Sequence, residues 1–216
     1  MEVHVVSPFS RKSSAFRLSD LRAAATRLYV LIAWLHVPAV AIIALDAHNP
    51  WIASTLVLAA VAVVATIAAR VLPDGVALRL TMAGALTAAP ILFVYAGRGA
   101  YQIDYHMYFF AVYAMLVGYV DWRPIVFAAG LTAVHHLLLD QFVPADVFPQ
   151  EGLDRVALHV ITVVAECTVL IWITQTIQAL FTRIDALMDF TAQATAEAIA
   201  DAQAENDRLR SQLTKA

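Results

Sequence analysis

The sequence predicts an all-α membrane protein: a bundle of six transmembrane helices whose last helix continues into a cytoplasmic coiled-coil helix. Three observations predict it. Of the 216 residues, 61% are hydrophobic and only 14% are charged, which sets the chain apart from ordinary soluble domains and from disordered ones. The apolar residues come in blocks close to the ~20-residue length that crosses a hydrocarbon core, rather than as amphipathic stripes. Turn chemistry separates the blocks. A soluble all-α protein is set aside because it has no use for six nearly uncharged blocks of spanning length.

Residues 1–27 read as a cytoplasmic basic arm, with Arg11, Lys12, Arg17, Arg22 and Arg27 among serines, entering a short amphipathic helix near Leu18–Leu21. Nothing in it reads as a cleavable signal peptide, and the first apolar block is long enough to stay as an anchor. The predicted spans are 28–45, 51–69, 80–96, 105–120, 124–139 and 156–176, and together they form a membrane domain over 28–176. Asp46-Ala47-His48-Asn49-Pro50 breaks the first from the second, and Leu72-Pro73-Asp74-Gly75 the second from the third. Gly97-Arg98-Gly99 leads into the fourth, and Asp121-Trp122-Arg123-Pro124 closes it. Residues 140–155, with Pro144 and Pro149, precede the sixth.

Lysine and arginine near the span ends give the orientation. With the N-terminus inside, the inner loops hold Arg70, Arg79 and Arg123 besides the arm. The outer loops hold only Arg98 and Arg155, and the last is acidic, with Asp140, Asp146, Glu151 and Asp154. Six spans return the C-terminus to the cytoplasm. The net charge of −3 says little about nucleic acid, but no basic stripe interleaved with aromatics exists, so the expected partner is the bilayer and not nucleic acid. One cysteine, Cys167, lies inside an apolar block, so the monomer has no disulfide framework and the thiol is read as buried and inert.

From 177 to 216 the chain stays helical in character but turns polar. Ile177, Leu180, Ile184, Leu187, Thr191, Ala194 and Ala198 alternate spacings of three and four, the seam of a coiled coil, until Asp201 interrupts it. Leu209 and Leu213 resume a stripe. The seam predicts a homodimer. No glycine or proline lies between Arg155 and Ala216, so the sixth span is expected to run into this tail without a break.

The candidate site is a set of histidines. Ionisable groups inside a membrane are costly and usually face a bundle interior and serve a pathway, cofactor or partner. Of seven histidines, His4 and His48 lie in polar segments. His106 lies just inside the outer end of span four, His135 and His136 near the outer end of span five, and His159 near the outer end of span six. Helical rise puts all of them roughly 5–8 Å below the outer surface. These four are the expected metal ligands. His135 and His136 point about 100° apart on a helix, so only one of them fills a small site, with the other left to a supporting bond or a second pocket. His36, deeper on span one, Glu166, two turns below His159, and Tyr113, two turns below His106, are the expected further cofactor-binding residues. The other aromatics around them, Tyr105, Tyr108, Phe109, Phe110 and Tyr119, read as packing and interfacial belt.

Imidazole suits copper, zinc, iron and nickel; an outward-facing site with Met107 and Met115 on the same segment favours copper. Haem b is the alternative, since it needs two facing histidines and small residues around the ring, such as Gly84, Ala88, Ala89, Ala128, Ala129 and Gly130. The HxxxH and HxxHH boxes of membrane diiron or dicopper oxygenases are absent, and no catalytic domain is recognised. Asp121, Trp122 and Arg123 lie at the opposite turn, roughly 20 Å away, and read as structural.

At these residues a resemblance emerges. Asp104-Tyr105-His106 with Phe109-Phe110, then Tyr119-Val120-Asp121-Trp122-Arg123-Pro124, then Ala133-Val134-His135-His136 resemble a six-span sensory module of bacterial receptors. Val147-Phe148-Pro149, Leu158-His159, Glu166 and Leu170-Ile171-Trp172-Ile173 fit as well. The module is that of the N-terminal half of methyl-accepting chemotaxis proteins and of related histidine kinases and diguanylate cyclases. The likeness covers about residues 25–180. In plan, though not in motif, it is similar to the MHYT sensor domains for which copper binding is proposed. Two departures stand out. Relatives often have a second histidine two residues after the first, where this chain has Tyr108. The chain also ends at Ala216, where a receptor continues into a methylated hairpin or a kinase.

The resemblance implies a sensory receptor domain of the bacterial cytoplasmic membrane, both termini cytoplasmic, coupled to a chemotaxis- or kinase-type signalling module. Its metal centre would respond to redox state, to a diatomic gas or to the metal itself. A haem- or copper-containing electron-transfer protein or oxidoreductase is the alternative expectation. A transporter is disfavoured, because no internal repeat is visible.

Overall fold

Each apolar block becomes helix, and the helices leave many large apolar side chains exposed while burying a core of alanines, aromatics such as Tyr113 and Tyr119, and aliphatics such as Leu58, Leu86 and Leu116. The structure, a computed structural model, describes residues 17–142 and 153–215, with 138–142 and 153–156 described as backbone alone. His4, Arg11, Lys12 and the arm serines, and the loop residues Pro144, Asp146, Val147, Phe148, Pro149 and Glu151, lie outside the described residues. The elements are α1 (Leu18–Asp46), α2 (Ile52–Val71), α3 (Val76–Ala96), α4 (Gln102–His106), α5 (Tyr108–Leu116), a 3-10 turn (Val117–Tyr119), α6 (Trp122–Phe142) and α7 (Leu153–Leu213). There is no strand among the described residues.

Among the described residues, four helices are long and apolar enough to cross a membrane: α1, α2, α3 and the Ala157–Leu213 stretch of α7. The expected fourth span is not one helix. It is divided into α4, α5 and the 3-10 turn, and it ends at Val120, whose φ of 49° is left-handed. A β-branched side chain disfavours that conformation, so the surrounding structure has to hold it. Arg22 does so: its Nε donates to the Tyr119 carbonyl at 2.9 Å and its Nη2 to the Val120 carbonyl at 3.2 Å.

Residues 18–27, expected in the arm, are the first turns of α1. Asp20 accepts a hydrogen bond from the Arg17 amide at 3.0 Å, which satisfies an orphan donor and sets an acid where the helix dipole favours one. At the other end of α1, the Asn49 side chain donates to the carbonyls of Ala96 (2.9 Å) and Arg98 (3.2 Å), tying the α1–α2 connection to the end of α3.

The division into two units falls between Gln175 and Thr176. Within the first, α3 packs against α1, α2, α4, α5 and α6. Its buried face carries Ala83, Ala85, Ala89 and Ala96, and a Cβ on Gly84 would sit 3.6 Å from the Phe127 ring. Small residues let helix backbones approach where lipid supplies no hydrophobic drive for association. On α2, Ser54, Leu58, Ala62, Ala65 and Ala68 are buried, while Leu56, Val57, Val63, Val64 and Ile67 are exposed. Apolar faces of this extent on a soluble protein would aggregate; against acyl chains they are at rest. In the second unit, Leu180, Ile184, Leu187, Ile199 and Leu209 are exposed along the C-terminal helix.

Candidate functional site

The fourth segment sends neighbouring side chains to different partners. On one straight helix His106 and Tyr108 would point about 200° apart. Met107 ends α4 and precedes α5, and the two residues serve different neighbours. His106 meets α6 and α7. Its Nε2 lies 3.0 Å from Nε2 of His136, and the two rings stack with centroids 4.8 Å apart at 28°. His159 stands edge-on to both, with centroids at 5.1 Å from His106 and 5.7 Å from His136. Three imidazoles from three helices are thus in mutual contact, and His106 and His136 are buried. Phe109 packs against His106, His135 and His136 and closes one side.

Of the adjacent histidines, His136 stacks on His106, while the His135 ring lies 5.5 Å from that of His136 and 6.0 Å from that of Phe109, with its Nε2 buried and without a hydrogen-bond partner among the described residues. His36 is held elsewhere. Its Nε2 lies 2.8 Å from the Tyr108 hydroxyl, and its ring meets Phe93 and Tyr108 edge-on. Tyr108, read from sequence as packing, is therefore the polar partner of a buried histidine; no periodicity signalled it.

Tyr113 is fully buried on α5, near Thr132, Glu166 and Cys167. Glu166 directs Oε2 into the interior with no hydrogen-bond partner among the described residues, and Cys167 lies in the apolar core. An apolar cleft of about 370 Å³ between α6 and α7 has His136 and His159 on its wall, and Gly130 leaves space beside it. The imidazole cluster is thereby open to an apolar surrounding on one side.

At the far end of the bundle, sequence reading missed a buried ion pair. Arg79 counted as a loop cation, but it lies in the first turn of α3 with its side chain 9% exposed, and its Nη1 is 3.0 Å from Oδ2 of Asp121, 4% exposed. The contact is a close ion pair without hydrogen-bond alignment at that oxygen. Asp121 Oδ1 accepts from the Arg123 amide at 3.1 Å at the start of α6. Arg123 lies over the Trp122 ring at 5.6 Å. Thr26 and the Tyr119 hydroxyl are 3.1 Å apart, and the Tyr29 hydroxyl donates to the Met115 carbonyl. The structural reading of Asp121, Trp122 and Arg123 agrees with these contacts.

Among the described residues, no group of three or more His, Cys, Asp or Glu side chains meets the geometry of a metal site. The described residues are all-helical, with long apolar helices of the kind that suggest a membrane protein, and they bring His106, His136 and His159 into contact. No protein-family model, no curated protein and no solved structure matches the chain, so its own residues carry the functional reading.

Proposed function

We propose that the chain is the membrane-embedded sensory domain of a signalling receptor, built on six crossings, with His106, His136 and His159 binding one copper ion. The observation that carries this reading is the mutual contact of three imidazoles delivered by α4, α6 and α7. Two nitrogens that bind one ion at about 2.0–2.1 Å in tetrahedral geometry stand roughly 3.3 Å apart. The 3.0 Å between His106 Nε2 and His136 Nε2 is near that value, so modest ring rotation fits the donor set to an ion. An all-imidazole set suits copper among the first-row ions. Haem b is less well supported: it would need two histidines facing one another with room for a large ring between them, and the His106 and His136 rings are in direct contact.

Six crossings are supported by length. The run from Gln102 to Tyr119 spans about 27 Å at helical rise and α6 about 31 Å, close to the ~30 Å of a hydrocarbon core. The basic residues Arg22, Arg27 and Arg70 at the end far from the imidazoles favour that end as cytoplasmic. His159 and Glu166 sit on α7, which continues as helix to Leu213 and exposes Leu180, Ile184 and Leu187. A sensor has a use for such a helix: a second copy pairing along that stripe would report a change at the site to a signalling module. A coupling of about 1–3 kcal/mol suffices for a 5- to 150-fold response.

Elemental analysis of protein purified from copper-supplemented cells tests the reading. About one copper per chain is expected; protein that holds none after supplementation, or equal copper in His106→Ala and His136→Ala variants, overturns it.

A further inference from the structure

At the end of the bundle far from the imidazoles, α1, α2 and the start of α3 enclose a cleft of about 480 Å³. Three guanidiniums line it, those of Arg22, Arg27 and Arg70, against one carboxylate, Asp74. Arg27 and Arg70 are exposed, and neither makes an ion pair among the described residues. Asp74 is shared with Arg79, 3.9 Å away. Like charges gathered in one concavity repel, and an anion seated between them removes that repulsion.

The other walls of the cleft are apolar, with Val30 and Leu72 among them. The helices that form it present Leu31, Val63 and Ile67 outward just toward the middle of the bundle, each largely exposed. Cations therefore stand at the boundary where the outer surface changes from apolar to polar. A soluble anion would use only the cationic half of this site. A phospholipid uses both, with its phosphate among the guanidiniums and its acyl chains along α1 and α2.

We propose that this cleft is a binding site for the headgroup of an anionic phospholipid. Occupancy acts on the fold through Arg22, which lines the cleft and also donates to the Tyr119 and Val120 carbonyls at the left-handed turn before α6. A seated phosphate orders that guanidinium and so reinforces the turn. The site is independent of any metal at the imidazole cluster.

The test uses the full chain in nanodiscs of phosphatidylcholine with increasing phosphatidylglycerol, read by native mass spectrometry for retained lipid and by thermal unfolding. Phosphatidylglycerol is expected to be retained and to raise the unfolding midpoint, and R27Q/R70Q is expected to bind it about 30-fold more weakly, as loss of two cations near a membrane surface implies. Either single substitution should weaken it about fivefold, which covers the case of a double variant that fails to fold. R183Q/R208Q, with the same loss of charge on the C-terminal helix, should bind as the parent does. Undiminished binding by R27Q/R70Q and both single variants, an equal loss in R183Q/R208Q, or binding of glycerol 3-phosphate from water as tight as that of the lipid would each overturn the proposal.

Discussion

Removing Asp121 should be the most damaging single change outside the imidazole cluster. Asp121→Ala leaves the Arg79 guanidinium buried with its close partner gone, and only Asp74, 3.9 Å away and 43% exposed on its side chain, to offset the charge. Breaking a buried pair by deleting one member costs about 3–5 kcal/mol, because an uncompensated charge is left out of water. Asp121→Ala also removes the acceptor for the Arg123 amide, a further ~1 kcal/mol. For a chain of this size each kcal/mol lowers the unfolding midpoint by roughly 2–4 °C, so a fall of about 8–24 °C is expected. Thermal unfolding in a mild detergent, followed by tryptophan fluorescence, measures it. Arg79→Met supplies the other side of a double-mutant cycle. The double variant should be less destabilised than the sum of the singles by about 2 kcal/mol or more, since neither charge is then stranded. Additive losses, or a midpoint unchanged in Asp121→Ala, would refute the claim that Arg79 and Asp121 depend on one another for burial.

Four further outcomes can be checked. His159→Ala and His136→Ala should each lower copper content at least tenfold, while His135→Ala and Trp122→Ala keep it, as read by mass spectrometry of the metal; loss in Trp122→Ala with the fold intact would contradict its structural role. Tyr108→Phe removes the partner of His36 Nε2 and should lower the unfolding midpoint by a few degrees, for a loss of about 1 kcal/mol, without changing copper content. Gly97→Ala should destabilise by about 1–3 kcal/mol, because the new Cβ would meet the Tyr105 ring; unchanged thermal unfolding would show that the ring moves aside freely. Leu187→Cys, at a position 63% exposed on the C-terminal helix, should crosslink two copies in membranes under mild oxidation while Asp189→Cys does not, and equal crosslinking at both would remove the case for a specific dimer seam.

What the sequence by itself determined is the all-helical class, the apolar blocks and the place of each histidine along its segment. Lipid imposes those features directly: a hydrocarbon core demands unbroken apolar length, and turn residues must fall between the blocks. Expected depth follows from helical rise, which is why His106, His136 and His159 were legible as one layer and proved to be neighbours. What only the tertiary structure decided is rotation about each helix axis. A block apolar on every side carries no stripe to say which face looks inward, so His135 and His136 were equivalent until α6 took its place against α4 and α7. The same ambiguity hid the hydrogen bond between Tyr108 and His36, which exists because α5 presents Tyr108 to α1. It hid the Arg79–Asp121 pair too, whose members are far apart in the chain and meet only when α3 packs against α6. Hydropathy encodes how deep a residue lies; packing of neighbouring helices encodes which way it faces.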